Sequence, residues 1–231
     1  MKPNTPSEHQ QNHQDPSLEN RRPLKVRGVG LVSRFARWLS QKSITPNHIS
    51  ISSIFFAALA ALCLFFAPNF NGLSQVSLYL LAALFIQGRL LCNLFDGLVA
   101  IEGGKSTASG ELFNDIPDRI SDPLIIITAG YSLICVSFGD TLAWSAALLA
   151  VLTAYVRTLA VSIGAPANFT GPMAKQHRMA LLTLACILCA IEQYFWSHDY
   201  VMLVALIILN IGCAITVWRR AYIAYCYLEK K

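Results

Sequence analysis

Between Asn93 and Asp122 the chain reads NLFDGLVAIEGGKSTASGELFNDIPDRISD, which sets acids, amides, a lysine and a glycine-rich connector between two apolar runs. Polar side chains at membrane depth are costly, and by default they mark a functional site. Asn93 and Asp96 stand three apart, and Asn114 and Asp118 four apart, so each pair shares one face of a helix. Gly97 and Ala100 keep bulk away from the first pair, and Gly110 precedes the second. Two such pairs facing each other offer oxygen ligands of the hard kind that Mg²⁺ and Mn²⁺ take.

The stretch resembles the signature of the CDP-alcohol phosphotransferases, Asp-x2-Asp-Gly-x2-Ala-Arg-x8-Gly-x3-Asp-x3-Asp. Here the pattern falls on Asn93, Asp96, Gly97, Ala100, Ile101, Gly110, Asn114 and Asp118, with the spacing and both glycines kept. Three positions depart: Asn93 and Asn114 stand in place of Asp, and Ile101 in place of Arg. The resemblance implies transfer of a substituted phosphate from a CDP-alcohol, such as CDP-diacylglycerol, to an alcohol acceptor with release of CMP. It implies that Asn93, Asp96, Asn114 and Asp118 hold one or two Mg²⁺ or Mn²⁺ ions, and that Asp118 takes the acceptor's proton. Asp96, Gly97, Ala100, Lys105, Gly110 and Arg157 would then face the nucleotide and its diphosphate, with Lys105 a replacement for the missing Arg. Lys175 and Arg178 would receive the phosphate of the acceptor or lipid. A homodimer is a further implication of the family.

The departures carry a charge argument. Four carboxylates bring four negative charges, whereas two carboxylates and two amides bring two. An amide oxygen ligates without charge and holds a hard cation less firmly. The expectation is one tightly held ion, or two that need the substrate diphosphate, with Glu102, Glu111 or Asp115 able to compensate.

These residues need elements to position them. With 55% hydrophobic and 13% charged residues among 231, the chain is too apolar for an ordinary soluble domain. Six apolar runs, near Ile49–Pro68, Leu73–Val99, Pro117–Phe138, Leu142–Gly164, Met179–Trp196 and Tyr200–Trp218, approach the ~20 residues of a bilayer-crossing helix. The fold class is therefore all-α and polytopic. The membrane domain is placed at 46–231, after a disordered polar tail at 1–22 and a juxtamembrane amphipathic helix at 23–45. That helix sets Leu31–Leu39 opposite Arg34 and Arg37 and suits an anionic lipid surface or a packed position against the bundle. Ser43 or Thr45 can cap the first span, with Pro46 in its first turn. The polar first twenty residues contain no apolar run of signal-peptide type.

Charge sets the orientation. The connectors Asn69–Gly72, Gly139–Thr141 and Ser197–Asp199 lack Lys and Arg, while the N-terminal arm, Ile101–Ile116, Ala165–Arg178 and the C-terminal stretch carry them. The positive-inside rule then puts both termini and the polar stretch on the cytoplasmic side of a bacterial inner membrane. The net charge of +5 thus reports topology, and no base-reading module accompanies it. The seven cysteines fall mostly in apolar runs and read as small filler, the Cys186/Cys189 pair included.

Each singled-out residue also has a plainer reading. Asn114 suits a helix N-cap as well as a ligand, with the third span starting nearby and Pro117 in its first turn. Arg157, inside an apolar run, must pair either with a carboxylate of the site or a phosphate, or with a structural partner. Lys175 and Arg178 suit positive-inside anchoring, His48 and His177 an interfacial position, and Asp115 a solvated one. Asp122, Glu192 and Asn210 suit helix packing. Two rival functions accompany the enzyme: a pseudoenzyme of the same fold that binds lipid or nucleotide, and a small transporter. Against the transporter, the polar cluster lies at a membrane edge and not at the midplane.

Overall fold

The computed structural model describes residues 34, 38, 45–102, 110–196 and 200–230. The tail at 1–22, all of the amphipathic segment but Arg34, Trp38 and Thr45, and Lys105 lie outside them. Among the described residues six long helices follow in order: α1 (Pro46–Phe66), α2 (Leu73–Glu102), α3 (Gly110–Tyr131), α4 (Gly139–Ser162), α5 (Lys175–Phe195) and α6 (Tyr200–Leu228). No strand occurs among the described residues. Thr45 caps α1, its Oγ1 accepting from the His48 amide at 3.3 Å, and Pro46 opens the helix where its missing N–H is not needed.

The helices close a ring. α1 packs on α2 and α3, α2 on α5, α5 on α6, α6 on α4, and α4 returns to α3. Its core is lined with small residues, among them Ala57, Ala82, Ala129, Ala143 and Ala146, set between Leu64, Ile86, Ile126 and Leu206. Lipid offers helices no hydrophobic drive to associate, so close backbone approach and van der Waals contact must hold them. The α3–α4 corner shows how tight this is: a Cβ on Gly130 would lie 2.2 Å from the Ala143 Cβ. Phe55, Leu84, Leu148, Ile211 and Trp218 cover the outside, as lipid-facing surface requires.

Five helices, α1, α2, α4, α5 and α6, are long and apolar enough to cross a membrane. α3 has 22 residues and an equal place in the ring, but Asp115, Asp118, Arg119 and Asp122 lower its hydropathy. Its start differs from the sequence expectation. α3 begins at Gly110, and Pro117 and Pro123 both lie inside it. A proline removes one backbone bond but leaves helical geometry available on both sides. Ion pairs from Asp115 to Arg119 and Arg157 hold the turn before Pro117 in place. Asn114 is therefore not an N-cap; it stands within the helix and is exposed. α6 also outruns its expected end at Trp218, continuing to Leu228 as a helix of 29 residues.

Candidate functional site

The polar residues gather at one end of the ring, where α1, α3 and α5 begin and α2, α4 and α6 end. Asp96, near the end of α2, accepts a hydrogen bond from Ser50 Oγ of α1 at 2.6 Å and is 4% exposed. Asp118 of α3 joins three elements. Its Oδ1 accepts from Arg89 Nη2 at 3.0 Å and Asn93 Nδ2 at 3.2 Å, both on α2. Its Oδ2 accepts from the ammonium of Lys175, the first residue of α5. Asp96 lies within electrostatic reach of both Lys175 and Asp118.

One turn deeper, Asp122 meets two arginines. Arg89 Nη2 stands 2.5 Å from its Oδ1, and Arg178 Nη2 donates to its Oδ2 at 2.7 Å. Arg178 Nη1 donates to Thr153 Oγ1 at 3.1 Å and to the Met173 carbonyl at 3.0 Å. Arg89, Asp122 and Arg178 are all buried. Charges removed from water need paired partners, and this network supplies them between α2, α3 and α5.

A second, shallower layer surrounds Asp115. Arg157 Nη2 donates to both of its carboxylate oxygens, at 3.1 and 3.0 Å, and Arg119 Nη2 to Oδ1 at 3.2 Å. The Arg157 guanidinium also sits over the Phe169 ring, 5.1 Å from its centroid. Asp115 is therefore not simply solvated: the arginine one turn on and the arginine of α4 both reach it. Arg220 of α6 ties down the α4–α5 connector, donating from Nε to the Thr170 carbonyl at 3.0 Å and from Nη1 to the Thr153 carbonyl at 2.6 Å.

The structure thus brings Asn93, Asp96, Asp118 and Lys175 together. Asn114 lies one turn before Asp118 and is exposed, and Arg157 is engaged with Asp115. Arg178 is 2% exposed, with its donors turned to Asp122, Thr153 and Met173. Gly97 is exposed, and a Cβ there would meet nothing within 4 Å, so packing inside the chain is not what keeps the position small. Ala100, one turn from Asp96, is half-buried, as is Gly110 at the start of α3. His177 Nδ1 contacts the Pro172 carbonyl at 2.9 Å, and His48 is exposed.

Sequence reasoning missed the partners of this core. Ser50 gave no sign beyond its place in the first turns of α1. Arg89 stands seven residues before Asp96, on the same face two turns deeper, but its acids on the neighbouring helix are not given by that spacing. Glu192, expected to serve helix packing, links α5 to α6 in a specific way: its Oε1 accepts from the backbone N–H of Tyr200 at 3.0 Å and of Val201 at 3.3 Å, capping the start of α6.

The donor set suits a hard divalent cation. Asp96 and Asp118 supply carboxylates, and because Asn93 donates through Nδ2, its amide oxygen is left to ligate. Among the described residues no group of three or more His, Cys, Asp or Glu is placed to hold a metal.

The ring, with five helices long and apolar enough to cross a membrane, thus carries a cluster of carboxylates, an amide and a lysine at one end. The chain belongs to the CDP-alcohol phosphatidyltransferase family, whose model matches residues 43–218. It is similar in fold to phosphatidylinositol phosphate synthase of Mycobacterium tuberculosis with CDP-DAG bound, at 18% identity and TM-score 0.69, covering 84% of this chain and 94% of that one. The same synthase with manganese and citrate matches at 18% identity and TM-score 0.69, covering 84% and 88%. Its apo form matches at 17% identity and TM-score 0.66, covering 83% and 95%. No curated protein sequence matches the chain.

Proposed function

We propose that this protein moves a phosphatidyl group from CDP-diacylglycerol to the hydroxyl of an alcohol acceptor and releases CMP, with Mg²⁺ or Mn²⁺ bound. The observation that carries the reading is the meeting of Asn93, Asp96 and Asp118 at one end of the ring, beside the open face of Gly97. Asp96, Asp118 and the amide oxygens of Asn93 and Asn114 would hold the ion. Bound there, it would neutralise charge on the diphosphate. Asp118 would take the acceptor's proton as the hydroxyl oxygen bonds to phosphorus and the bond from phosphorus to CMP breaks.

The remaining residues bind and orient. Gly97, Ala100 and Gly110 leave room for the nucleotide, and Lys105 and Arg157 would meet its diphosphate. Lys175 would receive the phosphate of acceptor or lipid, and Arg178 would act from behind it by fixing Asp122. A site at the end of the ring lets a lipid enter sideways while CMP leaves to water. In the inner membrane of a bacterium that end would face the cytoplasm. The proposed organisation is a polar tail at 1–22, a juxtamembrane helix at 23–45 and a membrane domain at 46–231, working as a homodimer. The bound CDP-DAG named for the mycobacterial synthase supports the choice of donor at the level of fold.

A second reading is favoured by Asn93, Asn114 and the lysine on Asp118: a member of the family that binds lipid or nucleotide without turning it over. CMP release by purified protein in detergent, with CDP-diacylglycerol, Mg²⁺ or Mn²⁺ and a panel of alcohols, separates the two. Release that needs metal and is lost in Asp118→Ala supports the transferase. Binding without release, with release gained in the double variant Asn93→Asp/Asn114→Asp, supports the second reading.

A further inference from the structure

Three carboxylates and three cations share the inner site. Asp96, Asp118 and Asp122 stand against Arg89, Lys175 and Arg178, joined by the contacts of Arg89 and Lys175 to Asp118 and of Arg89 and Arg178 to Asp122. Three negative and three positive charges cancel, so the site is neutral before any divalent ion enters. The two arginines have no room to change this: both are buried at 2% exposure or less, and each binds Asp122. Lys175 differs. It is the first residue of α5, its side chain is 24% exposed, and it ends a flexible stem on Asp118 Oδ2. Asp118 Oδ1 is taken by Arg89 and Asn93, so Oδ2 is the oxygen that Lys175 covers.

We infer that the Lys175 ammonium is a built-in counter-cation that competes with a divalent ion for Asp118, so that metal binding in this protein is coupled to arrival of the diphosphate. A divalent ion added to the neutral cluster brings two uncompensated positive charges into a poorly solvated site, close to an ammonium that repels it. The diphosphate of a CDP-alcohol supplies the two missing negative charges. It also gives Lys175 a new acceptor, which frees Asp118 Oδ2 for the ion. The replacement of Asp by Asn at positions 93 and 114 fits the same account, since two more carboxylates would leave the site negative and open to metal without substrate.

The inference deepens the proposed transferase reading and rests on it for the identity of the diphosphate, so its test reads metal binding and not turnover. Mn²⁺ binding to purified protein in detergent is followed by electron paramagnetic resonance, with and without CDP-diacylglycerol, in wild type and in Lys175→Met, Lys175→Gln and Lys175→Arg. The expected result is weak Mn²⁺ binding by wild type alone, tightened about tenfold or more by the CDP-lipid. Lys175→Met and Lys175→Gln should bind Mn²⁺ about tenfold or more tightly without lipid, while Lys175→Arg stays like wild type. Mn²⁺ affinity that is unchanged or lower in both neutral variants overturns the inference, as does tight binding by wild type alone. Two neutral variants guard against one that does not fold. A separate CMP-release assay on the wild type distinguishes the failures: absent release by wild type, with tightened Mn²⁺ binding in Lys175→Met, removes the transferase reading and leaves the competition standing.

Discussion

Arg89 and Asp122 meet with Nη2 2.5 Å from Oδ1, and neither side chain is more than 2% exposed. The pair joins α2 to α3, and through Asp118 and Arg178 it ties both helices to α5. Breaking such a pair by removing one partner leaves a buried charge without compensation, which costs about 3–5 kcal/mol. Arg89→Met should therefore unfold well below wild type in a thermal melt of the detergent-purified protein. The double variant Arg89→Met/Asp122→Leu should recover little of that loss, because it leaves Arg178 buried without its carboxylate. A single variant as stable as wild type would show that the ring does not depend on this contact.

Gly97→Ala separates folding from binding. A Cβ there meets nothing within 4 Å, and Ala is favoured over Gly in a helix by about 0.5–1 kcal/mol. The melting temperature should hold or rise, while the affinity for CDP-lipid falls, because the methyl group occupies the open face. Unchanged affinity in this variant would remove Gly97 from the nucleotide site.

Asp96→Asn keeps the shape of the side chain and removes one of the two ligand charges. Its effect on CMP release should be a fall of about a hundredfold or more, the scale on which loss of a preorganised charge-stabilising group acts. Excess Mn²⁺ should recover part of the rate. The comparison that checks this is rate against Mn²⁺ concentration for both proteins, and parallel curves would argue against a ligand role.

Arg157→Lys tests the shallow layer. Lysine keeps the charge but not the two-pronged contact with Asp115 or the stacking over Phe169. Both side chains are partly exposed, at 21% and 36%, so the stability change should stay below about 1 kcal/mol. The KM for the CDP-lipid should rise, and an unchanged KM with a large loss of stability would assign Arg157 to structure alone.

Glu192→Ala acts at the far end of the ring. It removes the carboxylate that receives the first N–H groups of α6, a loss of about 1 kcal/mol for a capping contact. Thermal melts should show that loss, and CMP release at low temperature should be unaffected.

The chain's own order of residues determined the apolar runs that become helices among the described residues and the end of the bundle where the polar side chains collect. Those properties follow from local rules: length against bilayer thickness, periodic spacing, and basic residues sorted between connectors. The i,i+3 pair Asn93/Asp96 and the i,i+4 pair Asn114/Asp118 were legible for the same reason. Tertiary structure alone decided which partner each charge takes. Arg89 and Asp118 stand 29 residues apart in the chain, Asp122 and Arg178 56, and Lys175 and Asp118 57. Such pairings depend on the order of helices around the ring, which no local pattern records. That order also placed Asp118 under Lys175, turned Asp115 towards Arg157 and left Asn114 exposed on a helix that runs past its proline. A buried charge is satisfied by whatever group the packing brings within 3 Å, and the packing is a property of all six helices together.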